Sequence, residues 1–174
     1  MSKATEGLSL VEATIADLSV IYDFQREVMG YIEQEEWFCP TDLEQYEKML
    51  STKDVVLKVM DGNRLAAFGS MVYGDNTDSC YAAHLGFPQD EWGKWVNMDT
   101  IMVHPDYRGR GLQKYLFEQM EKRTSPQIEW AAGTVSPYNT FSYHNFEQCG
   151  YEEKKRSMLY GGVLRAIMVK QIIR

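Results

Sequence analysis

The order of periodic segments predicts a mixed α/β domain: a mostly antiparallel sheet with one parallel strand pair, flanked by helices. Three observations carry this. Segments alternating with period two are interleaved with segments whose apolar residues recur at helical spacing. Two pairs of strand-like segments are each joined by a short glycine-containing turn. Between them lies a strand, a glycine-rich corner, a helix and a further strand, the arrangement that yields a parallel pair. At 174 residues the chain is long enough for one well-buried core and short for two, so a single domain over residues 1–174 is expected.

Taken in order, "LSLVEAT" alternates as a strand, and Thr14 with Asp17 forms a capping-box start for a helix. Leu18, Ile21, Tyr22, Val28 and Met29 mark its apolar face, and Gly30 ends it. Thr41 and Glu44 form a second capping-box signature, opening a helix through Leu50. "DVVLKVM" and "RLAAFGSMVYG" read as an antiparallel hairpin around "DGN". Residues Asp75 to Lys94 lack clear periodicity and form a long excursion with a short helix. "WVNMDTIMV" is a strand ended by Pro105, after which Leu112, Tyr115, Leu116 and Met120 make the buried stripe of a helix. "QIEWAAGTV" is the next strand, followed by a short helix from Tyr138 to Cys149 that stops at Gly150. "EEKKRSMLY" and "VLRAIMVKQI" close the chain as a hairpin across Gly161 and Gly162.

The net charge of -7 argues against a nucleic-acid partner and against attachment to a membrane surface, both of which call for clustered Lys and Arg. Cys39, Cys80 and Cys149 are odd in number and widely spaced, which fits reduced thiols. The polar start "MSKATEGLS" has no apolar segment of signal-peptide length, so a soluble, cytoplasmic protein is expected. His84, His104 and His144 lack metal-ligand spacing, and no metal is expected.

The corner "VHPDYRGRGLQ", residues 103–113, carries the chemistry. A helix start offers unpaired N–H groups and the positive end of the helix dipole, a natural seat for phosphate. Gly109 and Gly111 remove side chains that would hold phosphate oxygens away, and Arg108 and Arg110 add positive charge; spacing does not say which arginine faces the ligand. The Gly-Lys-Ser/Thr ending of a nucleotide P-loop is missing, and the three spaced glycines of a dinucleotide fingerprint are not in place.

"VHPDYRGRGL" after a strand resembles the acyl-coenzyme A pyrophosphate loop of the GNAT acetyltransferase superfamily, Gln/Arg-x-x-Gly-x-Gly/Ala. Arg108 and Gly111 match it, and Gln113 departs from the final small residue. "TVSPYNTFSYHNFEQCGY" resembles the second conserved segment, with Asn139 and Ser142 at cofactor-contacting positions. The element order is similar to the GNAT fold over nearly the whole chain.

The resemblance implies acetyl-CoA as co-substrate. Arg108, Gly109, Arg110, Gly111, Leu112 and Gln113 would seat its pyrophosphate, and main-chain groups of Ile101, Met102 and Val103 its pantetheine arm. It implies that the strand before the corner bulges and splays from its neighbour, with Ser136-Pro137 letting the second strand diverge. Acetyl transfer to an amine needs removal of a proton whose pKa is about 10.4, for which Asp99 is the first candidate and Glu33, Glu35 and Glu36 are others. The N–H of Met102 or Val103 would face the oxyanion. A tyrosine acts as general acid in many members; Phe146 stands at that position here, leaving Tyr143, with Tyr138 as a further choice. Trp37, Phe38, Trp92 and Trp95 are candidates for lining an acceptor cleft. The implied acceptor is a small-molecule or peptide amine, with acidic residues leaning towards a cationic one. The competing readings are a non-catalytic acyl-CoA-binding or sensing domain and a dimerising scaffold, and a homodimer is compatible with each of the three.

Overall fold

The computed structural model describes residues 3–174; Met1 and Ser2, which open the polar start, lie outside the described residues. The strands are β1 (Ser9–Glu12), β2 (Val55–Asp61), β3 (Arg64–Tyr73), β4 (Trp95–Val103), β5 (Trp130–Val135), β6 (Glu152–Leu159) and β7 (Val163–Gln171). They form one seven-stranded sheet in the order β1-β2-β3-β4-β5-β7-β6. β4 and β5 are parallel, and the other neighbours pair antiparallel. The helices are α1 (Leu18–Met29), α2 (Leu43–Ser51), α3 (Tyr81–His84), α4 (Leu112–Glu121) and α5 (Thr140–Gln148). This is the mixed α/β architecture that the periodic segments predict.

Alternation along the strands separates two apolar layers. On β2, Val56 joins Ile21, Phe24 and Val28 of α1 with Tyr46 and Met49 of α2. Leu57 and Val59 instead join Leu116, Phe117 and Met120 of α4. α3 lies over Trp95, Ala132, Ile167 and Val169 on the remaining part of the sheet.

Several element ends differ from expectation for local reasons. Asp42 rather than Thr41 caps α2, accepting from Gln45 N at 2.8 Å while Gln45 Oε1 accepts from Asp42 N at 3.0 Å. An aspartate one residue on is as good a cap, and Thr41 is left for another task. α5 begins at Thr140, two residues later than expected, because Asn139 is its cap. The excursion after β3 holds α3 and a 3-10 turn over Gln89–Lys94.

Two irregularities position the site. On β4, Met98 pairs with Met71 and Thr100 with Ser70, so Asp99 is an extra residue forming a bulge. The bulge flips the strand's faces. Before it Val96 and Met98 face the α4 layer, and after it Ile101 and Val103 do so while Met102 turns to α1 and α2. The β4–β5 pairing ends at Met98 and Gly133, although β4 stays paired with β3 to Val103 and β5 with β7 to Val135. The two strands therefore part in a V.

Gly133 sits at the point of that V with Phe146 packed on its Cα. A Cβ there would lie 2.6 Å from Phe146 Cε1 and 3.4 Å from Met98 O. Gly133→Ala is expected to destabilise the protein by about 1–3 kcal/mol, because the ring is wedged between Phe117 and Tyr151 and has no room to retreat. Chemical denaturation measures this.

Candidate active site

The corner after β4 has the geometry of an anion cradle. Pro105–Tyr107 make a 3-10 turn, then Gly109 and Gly111 adopt left-handed φ of 77° and 79°. Gly111 precedes the first residue of α4, and no side chain caps that helix. Its first main-chain bond runs from Tyr115 N–H to Gly111 O, which leaves the N–H groups of Leu112, Gln113 and Lys114 ahead of it. Among the described residues, apart from the chain neighbours, no atom lies within 4 Å of where a Cβ would stand at either glycine, so there is open space at the glycines. Arg110 is tied to Glu6 O at 2.6 Å, whereas Arg108 is exposed with no side-chain bond among the described residues. Arg108 is thus the arginine free to meet a ligand.

The V between β4 and β5 is a cleft lined by Asp99, Ile101, Gln113, Asn139, Ser142 and Phe146, together with Trp37, Phe38, Cys39, Thr134, Tyr160 and Arg165. His104 N–H is donated to Ala66 O and Thr100 N–H to Ser70 Oγ, both towards β3. By the alternation of an antiparallel ladder, main-chain groups of Met102 also turn to β3, and those of Ile101 and Val103 turn to the open side. Met102 itself is 4% exposed, with its side chain under α1 and α2.

Asp99 is held by a buried polar chain. Tyr46 Oη donates to Gln25 Oε1 at 2.6 Å, Gln25 Nε2 donates to Thr41 O at 2.7 Å, and Thr41 N donates to Gln25 Oε1 at 3.1 Å. Thr41 Oγ1 and Thr100 Oγ1 each donate to Asp99 Oδ2 at 3.2 Å. Burial pushes the Asp99 carboxyl above the usual aspartate range, and the two hydroxyls offset part of that. Asp99 is thereby a carboxylate at the bulge with an elevated proton affinity.

Other expected residues have different surroundings. Tyr143 Oη donates to Glu153 Oε2 at 2.6 Å, and that bond raises its pKa; Tyr143 is not among the cleft-lining residues. Tyr138 is 67% exposed. Phe146 meets Phe117 edge-on at 4.9 Å between ring centres. Gln113 Oε1 accepts from Asn145 Nδ2 at 2.8 Å, so the side chain that departs from the loop pattern ties α4 to α5. Asn139 Oδ1 accepts from Ser142 N at 3.2 Å as the α5 cap. Leu112 is buried in the core. Glu33, Glu35 and Glu36 are exposed and do not line the cleft. Trp37 and Phe38 line it, whereas Trp95 stacks on Trp130 at 5.5 Å and Trp92 Nε1 donates to Phe87 O.

Two cleft residues central to the site, Tyr160 and Arg165, escaped the sequence reading, and Thr41, read there as a helix cap, instead binds Asp99. A slip in β4 was visible, since its apolar residues step from Met98 to Ile101 instead of by two. Among the described residues no helix is long and apolar enough to cross a membrane, and no group of three or more His, Cys, Asp or Glu could hold a metal.

A splayed parallel pair thus leads from an open, uncapped helix start to a half-buried carboxylate, and sequence comparison assigns the family. A model of the Acetyltransferase (GNAT) family matches residues 18–151, and the chain belongs to that family. No curated protein sequence matches it. Among solved structures, NAA60 from Arabidopsis thaliana in complex with acetyl-CoA is similar at TM-score 0.73 and 16% identity, covering 95% of this chain and 98% of that one. A GNAT-family acetyltransferase from Streptococcus pneumoniae gives TM-score 0.70 at 16% identity, covering 95% and 99%. The ribosomal-protein-S18-alanine N-acetyltransferase from Escherichia coli gives 0.68 at 18% identity, covering 95% and 94%.

The raised pKa of Asp99 has a consequence for stability. A carboxyl whose folded value lies above its unfolded value favours the fold below the unfolded value, and that contribution is lost as pH rises through the folded one. Asp99→Asn is expected to melt at a higher temperature than the native protein near pH ~7. The margin should narrow as pH falls through the raised folded value and be gone below about 3.9, which a series of thermal melts would show.

Proposed function

We propose that the chain transfers acetyl from acetyl-CoA to a primary amine by direct attack in a ternary complex. The observation that carries this reading is one continuous path: the N–H groups of Leu112 to Lys114 at one end, the open edge of β4 along Ile101 and Val103, and the Asp99 carboxylate at the other. The N–H groups and Arg108 suit a diphosphate. The β4 edge suits an extended amide-containing arm, which would complete the hydrogen bonds that β5 does not make. NAA60, described with acetyl-CoA, shares this fold.

Asp99 serves as the proton acceptor. Its pKa, raised by burial, brings it closer to that of an ammonium group, and Thr41 and Thr100 fix the oxygen Oδ2. Met102 N–H turns to β3 and Val103 N–H lies about 13 Å along the strand from Asp99, so the open-side N–H of Ile101 suits a developing oxyanion better than either. The thiol of coenzyme A, with a pKa of about 8.5, leaves without a strong acid. Tyr143 serves as acid only if its bond to Glu153 opens.

Phe146 favours a second reading, a domain that binds acyl-CoA without turnover, since the position used by a general acid is filled by a core-packed ring. Free-thiol release from acetyl-CoA across a panel of amines separates the two. Turnover with at least one amine is expected; binding of coenzyme A with silence against every amine class would favour the second reading. Asp99→Asn is expected to lower kcat about 10²–10⁴-fold with coenzyme affinity kept. Gly111→Val, which puts a β-branched side chain at φ 79° beside the open donors, is expected to weaken coenzyme A binding by about tenfold or more in calorimetry.

A further inference from the structure

Arg165 on β7 is 6% exposed and lines the cleft. Its guanidinium donates only to main-chain carbonyls: Nη1 to Glu36 O at 3.4 Å and Trp37 O at 3.2 Å, and Nη2 to Thr134 O at 3.2 Å. Its Nε is buried with no hydrogen-bond partner. Among the described residues it enters no ion pair. A buried cation without a counter-charge is costly, and carbonyl dipoles offset only part of that cost. Arg165 and Asp99 are the one basic and the one acidic side chain in the lining.

Tyr160 adds a second observation at the same place. It holds φ 50°, the one non-glycine residue in the left-handed region among the described residues. Its ring lies 5.9 Å from the Arg165 guanidinium, and its hydroxyl is fixed by Tyr81 Oη at 2.7 Å and Thr134 Oγ1 at 3.0 Å. Tyr160 stands in the turn between β6 and β7, and those two bonds hold its hydroxyl in place at the cleft wall beside Arg165.

We propose that Arg165, backed by Tyr160, anchors a carboxylate of the acceptor, so that the acceptor is a small amino acid and not an alkylamine or a polyamine. This rests on the acetyl-transfer reading above. A guanidinium matches a carboxylate geometrically as well as in charge, and its unpaired state in the free protein is answered when such a substrate arrives. Asp99 and Arg165 then present opposite charges to the ammonium and carboxylate ends of one molecule. The glutamates that leaned towards a cationic acceptor face solvent and take no part.

The test compares free L-amino acids, their C-terminal amides, ω-amino acids and spermidine as acceptors of the native enzyme, by thiol release and by thermal shift in the presence of coenzyme A. The best free acid is expected to exceed its own amide by about tenfold or more in kcat/KM, with the difference in KM. Arg165→Gln should reduce that ratio to about twofold or less, with the melting shift by coenzyme A retained, and Arg165→Lys should keep part of it. An arginine that only clamps the loop to β5 would lower acid and amide alike. Amides or spermidine performing as well as the acids in the native enzyme, or an unchanged ratio in folded Arg165→Gln, would overturn the proposal. Absence of turnover with every amine counts against acetyl transfer alone, because the acid-over-amide difference is still read from the thermal shifts.

Discussion

The early end of the β4–β5 pairing governs the rest of the molecule. Past Met98 and Gly133 each strand keeps only its outer neighbour, and buried main-chain groups on the inner edges need partners from elsewhere. β5 has one in Arg165, which takes Thr134 O. Among the described residues β4 has none along Ile101 and Val103, the edge that the proposed coenzyme arm would take. The causes are local: an extra residue at Asp99 raises the twist, and the Phe146 ring occupies the space at Gly133.

The same bulge fixes the chemistry. By turning Thr100 and Met102 towards α1 and α2, it brings Asp99 and Thr100 to Thr41, and Gln25 and Tyr46 then bind the loop before α2 to the sheet. Every link of that chain is buried or half-buried, so its hydrogen bonds act in a low-dielectric setting and misplacing one leaves a buried group unmatched. The arrangement holds a carboxyl in a place that disfavours its charge, which costs stability once it ionises.

The strands, the main helices and the glycine corner were legible because each is a short-range pattern: period two, period 3.6, or glycines at positive φ before an apolar helix. The Thr41–Glu44 pattern misled because Asp42–Gln45 offers an equal cap one residue later, and the tertiary bond from Thr41 to Asp99 decides between them. Tyr143 and Phe146 lie on one helix with similar spacing, but only the fold shows that Tyr143 reaches Glu153. Arg165 was illegible because its partners Glu36 and Trp37 lie 129 and 128 residues away in sequence. In its strand it is a lone charge within the apolar run from Val163 to Val169, which does not say what it meets.

The central claim, that open amides of the corner and of β4 receive coenzyme A, is tested most directly by amide chemical shifts of ¹⁵N-labelled protein titrated with coenzyme A. The largest shifts are expected at Gly109 to Lys114 and at Ile101 and Val103, with Met102 nearly still. Saturable binding that moves amides elsewhere and leaves those at rest would contradict it.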